Sequence, residues 1–304
     1  MSARFTVLGS GSSGNVSLLE TPGGGLLLDC GLPPKEIGDR LAAIGSSWDA
    51  ISAVVITHTH TDHWNRYTLE HLRRLNIRFI AHKQHLVALA TVPAFEPLRR
   101  AGLAIEYTEG TQFVPLRGLS CIAVPVSHDS DPTFAIRCDA VSSCGGTWAV
   151  GLASDLGVVS EPLLTAFAGV DLLAIEFNHD VKMERASRRP RFLVNRVLGD
   201  KGHLSNLQAG EAVQAIAATV DPGHLRAVVQ LHLSRECNTA ELAAHAGKTA
   251  LGASSPHTRL ITATQDRPAE TVELSLRPQR AVGMPKLLAK PRASMQLVLP
   301  GMEG

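Results

Sequence analysis

Four side chains able to hold a metal ion fall within residues 58–63: His58, His60, Asp62 and His63. Neutral imidazole and carboxylate suit zinc and other divalent first-row ions. His58 and His60 are two apart, so in an extended segment they point the same way. Asp62 and His63 follow and can face a second point nearby, so one short loop can seed two adjacent metal sites. Thirteen histidines in 304 residues would seldom produce an HxHxDH run by chance. A polar loop with incidental histidines is therefore the weaker reading.

The flanking elements must position this cluster. Residues 51–56 (ISAVVI) form an apolar, β-branched run of strand length. Residues 64–75 place Leu69, Leu72 and Leu75 at helical spacing. The cluster thus occupies a turn between a strand end and a helix start, where rigid elements can aim several side chains at one point.

Other strand-like runs also end in polar residues. Residues 5–8 (FTVL) enter the glycine-rich stretch GSGSSGN at 9–15, and residues 16–20 (VSLLE) continue as a strand. The loop therefore reads as a tight turn near the site rim, structural or touching the edge of a substrate, and not as a phosphate cradle opening a helix. Residues 25–28 lead to Asp29-Cys30-Gly31, and a helix is expected over 33–44 with Ile37, Leu41 and Ile44 on one face. Residues 77–80 form a short strand. His82 and His85 follow it without a neighbouring carboxylate or Cys, and read as ordinary surface or helix-start histidines. Residues 120–126 end in Ser127-His128-Asp129, before a turn at Asp131-Pro132 and a returning strand at 133–136. Residues 147–153 end in Ser154-Asp155, and Ser160 can cap the next helix, which leaves Asp155 free. Residues 170–175 lead to Glu176-Phe177-Asn178-His179-Asp180, and residues 227–231 hand over His232 before a closing helix at 239–245. His203 precedes Ser205 and Asn206, either of which can cap a helix running to about Ala218. Anions are favoured at such a helix start.

Size and charge bound the rest. At 304 residues and 44% hydrophobic content the chain can bury a substantial core. A net charge of +1 argues for no partner by itself. Residues 182–201, however, carry Lys182, Arg185, Arg188, Arg189, Arg191, Arg196 and Lys201 against Glu184 and Asp200. This is either a solvated helix face or a phosphate-backbone contact surface, and the second reading gains once a metal site is granted. Five Cys without a CxxC pair argue against a disulfide framework and for a reducing cytoplasm. The sequence shows no signal segment and no apolar run of about 18 residues, so a soluble cytoplasmic protein away from the membrane is expected. Prolines 268, 278, 285, 291 and 300 and a mildly basic balance suggest a flexible tail over 266–304 behind a catalytic domain at 1–265.

HTHTDH after an apolar strand resembles the metallo-β-lactamase-fold hydrolases. The resemblance implies an α/β four-layer sandwich, with two mixed β-sheets flanked by helices. It implies His58, His60 and His128 around one divalent ion, Asp62, His63 and His232 around a second, and Asp155 shared. It also places Asp29 behind the metal loop as a support. GSGSSGN, HTHTDH, SHDSDP, SDLG, EFNHD, LGDKGHLSN and LHLSRECN, in that order over about residues 5–245, are similar to the YycJ or WalJ type, which is linked to DNA exonuclease activity. The region also resembles cyclic-phosphate phosphodiesterases of phosphonate metabolism, which carry a His near the position of His203. The chain has no room for the large inserted domain of the RNase J type. Trp64-Asn65 stand where many relatives carry a small residue, a departure that bears on pocket shape.

The resemblance therefore implies a hydrolase with two Zn²⁺ or Mn²⁺ ions around a bridging hydroxide. Its substrate would be a phosphodiester, nucleic acid and DNA in preference to RNA. Asp62 and His203 would be catalytic, with His203, Ser205, Asn206, Asn178 and Arg196 on the substrate side. A small-molecule phosphodiesterase and a thioester hydrolase of the glyoxalase II type are the alternatives. The second has no need of the basic stretch at 182–201. A non-catalytic binding scaffold would not need all seven ligand positions filled. An oligomer is compatible with the sequence.

Overall fold

A computed structural model describes residues 2–130, 132–141, 145–252, 255 and 257–278. Asp131 of the expected turn, Cys144 and residues 279–304 of the expected tail lie outside the described residues. The first half of the chain runs β1 (Ala3–Gly9), β2 (Val16–Thr21), β3 (Gly24–Leu28), α1 (Pro34–Ala43), β4 (Ile51–Val55), α2 (Arg66–Arg74), β5 (Arg78–His82), α3 (Lys83–Leu89), α4 (Glu96–Arg100) and β6 (Ala104–Tyr107). The second half begins β7 (Gln112–Leu116), β8 (Leu119–Val126), β9 (Thr133–Val141), β10 (Gly146–Ala153), α5 (Glu161–Phe167) and β11 (Leu172–Glu176). It continues α6 (Val181–Ala186), α7 (Arg191–Val197), α8 (Asn206–Ala217), β12 (Ala227–Leu231), α9 (Ala240–Leu251), β13 (Arg259–Thr262), β14 (Val272–Leu274) and β15 (Arg277–Pro278).

The strands form two mixed sheets, in the orders β14-β1-β2-β3-β4-β5-β6 and β13-β12-β11-β10-β9-β8-β7, with β15 paired to β10. In the first, β3 through β6 are parallel and the pairs from β14 to β3 antiparallel. In the second, β10 through β13 are parallel and the pairs from β7 to β10 antiparallel. Side chains alternate across each strand, and both faces are apolar. Phe5, Val7, Leu26 and Leu28 meet Phe134, Ile136, Trp148 and Val229 between the sheets. Leu8, Leu27 and Val54 face outward onto Ile37, Leu41, Leu69 and Leu72 of α1 and α2. Val228 and Leu173 face outward onto Leu163, Val213 and Ala243 of α5, α8 and α9. The result is four layers, helix–sheet–sheet–helix, because strands apolar on both faces must be covered on both. No helix among the described residues is long and apolar enough to cross a membrane.

Three expectations change here. His82 and His85 are not surface histidines: they are 8% and 1% exposed. His82 does start a helix, accepting from the Gln84 amide at the head of α3, and both rings pack on Phe134. The basic segment is two short helices, α6 and α7, because Pro190 cannot continue the first and instead opens the second. The chain also stays in the sheets past the boundary expected at residue 266. β14 pairs with β1 and β15 with β10.

Candidate metal centre

Strand direction brings the candidate residues together. β8 and β10 are each antiparallel to β9, and β10, β11 and β12 are mutually parallel. All four therefore end at the same edge, where they release His128, Asp155, Glu176 and His232. β3 and β4 are parallel in the facing sheet and release Asp29 and the 57–63 loop there. Asp29, Asp155 and His232 have φ of +63°, +58° and +53°, the left-handed region that costs a non-glycine residue about 1 kcal/mol or more. Three such residues, each just past a strand end, turn their side chains out of the pleat and toward the shared edge.

The loops that carry these residues are bonded to one another. Asn15 of the glycine-rich loop donates its amide to the Asp62 carbonyl (2.7 Å), and Cys30 N donates to the His63 carbonyl (2.9 Å). The Asn15 side-chain amide lies 3.3 Å from Asp62 Oδ2 and 3.1 Å from His63 Nε2. Ser10 Oγ accepts from His232 N at 2.8 Å. A Cβ on Gly31 would collide with the Asp62 carbonyl oxygen, so only glycine permits this approach. Trp64 closes the loop by donating Nε1 to the Thr59 carbonyl (2.8 Å) and packs, half-buried, on the outer core.

The histidines share one arrangement. His63 donates Nδ1–H to Asp29 Oδ2 (2.8 Å), His128 to the Gly202 carbonyl (3.0 Å), His232 to Glu176 Oε1 (2.9 Å), and His58 to Thr57 Oγ1 (3.1 Å). Thr57 is itself fixed by Asp29, which accepts from both its amide and its hydroxyl. Each ring is thus committed on Nδ1 and turns Nε2 toward the shared edge, as metal-ligating imidazoles do. His63 Nε2 lies 2.9 Å from Asp155 Oδ2, and Asp62 Oδ2 lies 3.5 Å from both His63 Nε2 and His232 Nε2. His60 Nδ1 faces His128 Nε2 at 3.3 Å.

Do these residues fit divalent ions? His58 Nε2 and His232 Nε2 are buried and have no hydrogen-bond partner among the described residues, which is costly unless something else satisfies them. The ligand atoms of His58, His60 and His128 all lie within 4.8 Å of one another, as do those of His58, His63 and Asp155. The donors are nitrogen and oxygen only, a set suited to zinc or manganese. Charge points the same way. Burial pushes the Asp155 and Asp62 carboxyls up, but the His232 and His63 rings beside them outweigh it and hold both well below the usual carboxylate range. Burial likewise pushes His63 and His232 down, and their carboxylate neighbours win, raising both. Negative charge that keeps protons on these rings would also favour a cation in their place. The residues fit.

The expected substrate contacts divide into two groups. His203 (side chain 16% exposed) donates Nδ1–H to Glu176 Oε1 at 2.8 Å and borders the centre. Arg196 is half exposed, and its guanidinium meets Asp129, whose Oδ1 is 3.2 Å from His128 Nε2 and 3.5 Å from His60 Nε2. Ser205, Asn206 and Asn178 are instead buried and bonded internally. Ser205 caps α8 in a reciprocal box with Gln208, Asn206 and Asn238 exchange two bonds, and Asn178 donates to the His232 carbonyl at 2.9 Å. Their amides and hydroxyl brace the loops and are not free for a substrate.

Glu176 is the residue that motif reading missed. It is fully buried, and its oxygens accept from His203, His232, Leu156 N and Leu204 N. With its oxygens so used it acts as a brace and not as a ligand, although it clusters with Asp155, His203 and His232. Burial pushes its carboxyl up, but the adjacent His203 and His232 hold it down at about 2.

This sandwich, with a histidine- and aspartate-lined edge, defines a class. Residues 26–228 match the model of the beta-lactamase superfamily domain, and the chain belongs to that superfamily as a metal-dependent hydrolase. Within it, the chain is similar to the exodeoxyribonuclease WalJ of Streptococcus pneumoniae, 28% identical over 79% of this chain and 85% of that protein. It is likewise similar to the exodeoxyribonuclease YycJ of Bacillus anthracis, 27% identical over 80% and 87%. The metallo-beta-lactamase fold protein YhfI of Bacillus subtilis shares the fold, with a TM-score of 0.62 at 15% identity over 90% of this chain and all of that one.

Proposed function

We propose that this protein is a two-metal phosphodiesterase that degrades nucleic acid from an end, DNA in preference to RNA, in the cytoplasm. The observation that carries the reading is the convergence of seven nitrogen and oxygen donors beside His203, a proton-bearing ring that is braced but still open. Similarity to two exodeoxyribonucleases supports the nucleic-acid substrate.

His58, His60 and His128 would hold one ion, Asp62, His63 and His232 the other, with Asp155 between them. When bound, Zn²⁺ or Mn²⁺ ions supply Lewis acidity toward a phosphoryl oxygen and acidify water. The chain's own groups do the rest. Asp62, at 20% the more exposed of the two central carboxylates, stays ionised beside the His232 and His63 rings and accepts at Oδ2 to orient water. His203 gives Nδ1–H to Glu176, so Nε2 remains to bind the phosphate or to protonate the leaving oxygen. Burial pushes His203 down, but the Glu176 carboxylate outweighs it and raises the ring's affinity for that proton. Arg196, on the rim, balances charge on the phosphate.

The test is digestion of end-labelled single- and double-stranded DNA and RNA with Mn²⁺ or Zn²⁺, with bound metal measured in parallel. His60→Ala abolishes cleavage. His203→Ala keeps its metal and loses roughly 10²- to 10⁴-fold in kcat, the usual contribution of a positioned acid. Metal-loaded protein that cleaves none of these substrates would refute the function. Full turnover by His203→Ala would remove that residue from the mechanism.

A further inference from the structure

The stretch between Glu176 and His203 carries charge and an aromatic ring that the metal centre does not use. Lys182, Arg185, Arg188 and Arg191 are exposed and make no ion pair among the described residues. Phe192 follows them at 74% exposed. Among the chain's Trp, Tyr and Phe side chains, only it and Tyr67 are exposed at all strongly. On α7, Val194 and Val197 face the protein, while Arg191, Phe192, Asn195 and Arg196 face water. Phe192 and Arg196 are four apart on a helix and so are neighbours. Arg196 reaches Asp129, which borders His60 and His128. The ring therefore stands one helical turn out from the rim of the metal centre, next to Arg191 in the chain and on the same exposed stretch as Lys182, Arg185 and Arg188.

We propose that Phe192 is a stacking platform for an unpaired base, and that α6 and α7 thereby select a single-stranded nucleic-acid end. This inference rests on the phosphodiesterase reading and names its substrate more closely. A base offers an apolar face of the size of a phenyl ring whatever its identity, so stacking holds a strand without reading sequence. Lys182, Arg185, Arg188 and Arg191 match a phosphate backbone running past the ring. A base pair inside a duplex has both faces covered by its neighbours and a blunt end exposes only the outer face of its last pair, whereas each base of a single strand can turn a face to the ring. The complementarity is to a polyanion with exposed apolar faces, which a single strand is and a folded protein surface is not.

The experiment compares the metal-loaded protein with Phe192→Ala and Phe192→Trp on a single-stranded oligonucleotide, a blunt duplex, and a small chromogenic phosphodiester too short to reach the ring. Phe192→Ala is expected to raise KM for the single strand about tenfold or more, with kcat and turnover of the small diester unchanged. Phe192→Trp restores KM. An oligonucleotide lacking bases near its end is expected to erase the difference between Phe192→Ala and the parent protein. Wild-type KM for Phe192→Ala on the single strand, with the small diester still hydrolysed, overturns the platform and leaves the phosphodiesterase standing. A protein that hydrolyses neither diester nor nucleic acid has lost the underlying function, and the platform with it.

Discussion

Glu176 joins a candidate ligand to a candidate acid, since one buried carboxylate oxygen accepts from both His232 and His203. Glu176→Gln keeps the shape but removes the charge and one acceptor, setting an amide N–H against either the two ring N–H groups or the Leu156 and Leu204 amides. Metal affinity is expected to fall about 10- to 100-fold, as when other outer partners of ligating histidines are lost. Competition against a metal chelator measures it, and unchanged affinity would show that His232 needs no such brace. The HTHTDH run was legible because its donors are adjacent in sequence. His128, Asp155 and His232 could be placed only through the resemblance, since one polar residue at a strand end is a weak sign by itself. Glu176 gave the same weak sign. Asn15 and Ser10 gave none, because their partners lie 47 and 222 residues away.

At the scale of elements, both-faced apolar strands announced most of the two sheets, and their common direction then delivered the site. Edge strands were harder to read. β6 (AIEY) and β7 (QFVPL) are partly exposed and lack an unbroken apolar run. α3 shows how tertiary packing overrides composition, since His85 is polar yet shut beneath Phe134, donating Nε2 to the Pro132 carbonyl at 2.9 Å. Burial pushes its pKa from 6.5 down to about 4, with His82 beside it acting in the same direction. The folded ring therefore resists a proton that the unfolded chain accepts. Its contribution is fully present above about pH 6.5 and is lost as pH falls toward 4, by up to roughly 3 kcal/mol. Urea melts at stepped pH, comparing the parent protein with His85→Leu, are expected to show the difference between them shrinking or reversing over that window. A pH-independent difference would mean that His85 does not titrate on unfolding.

Across the whole molecule, the chain closes on itself through its C-terminal strands, which the Pro-containing composition past residue 266 concealed. β14 covers the free edge of β1, and Val272 and Leu274, 2% and 0% exposed, enter the core between the sheets. β15 adds to β10 while Arg277 Nε forms an ion pair with the buried Asp171 Oδ1 at 2.9 Å, and Asp171 Oδ2 accepts from Ala149 N in β10. One returning segment thus clamps both sheets at the ends remote from each other in sequence. A chain ending at residue 270 leaves Asp171 without Arg277, forfeits two buried apolar side chains, and turns β1 into an open edge. Relative to a chain ending at residue 278, it should melt on the order of 10 °C lower, from a loss of roughly 3–6 kcal/mol, and aggregate through the exposed edge. Differential scanning calorimetry with light scattering compares the two. Equal melting temperatures would mean that the sandwich is complete by residue 270, and that the catalytic unit ends near the boundary the composition suggested.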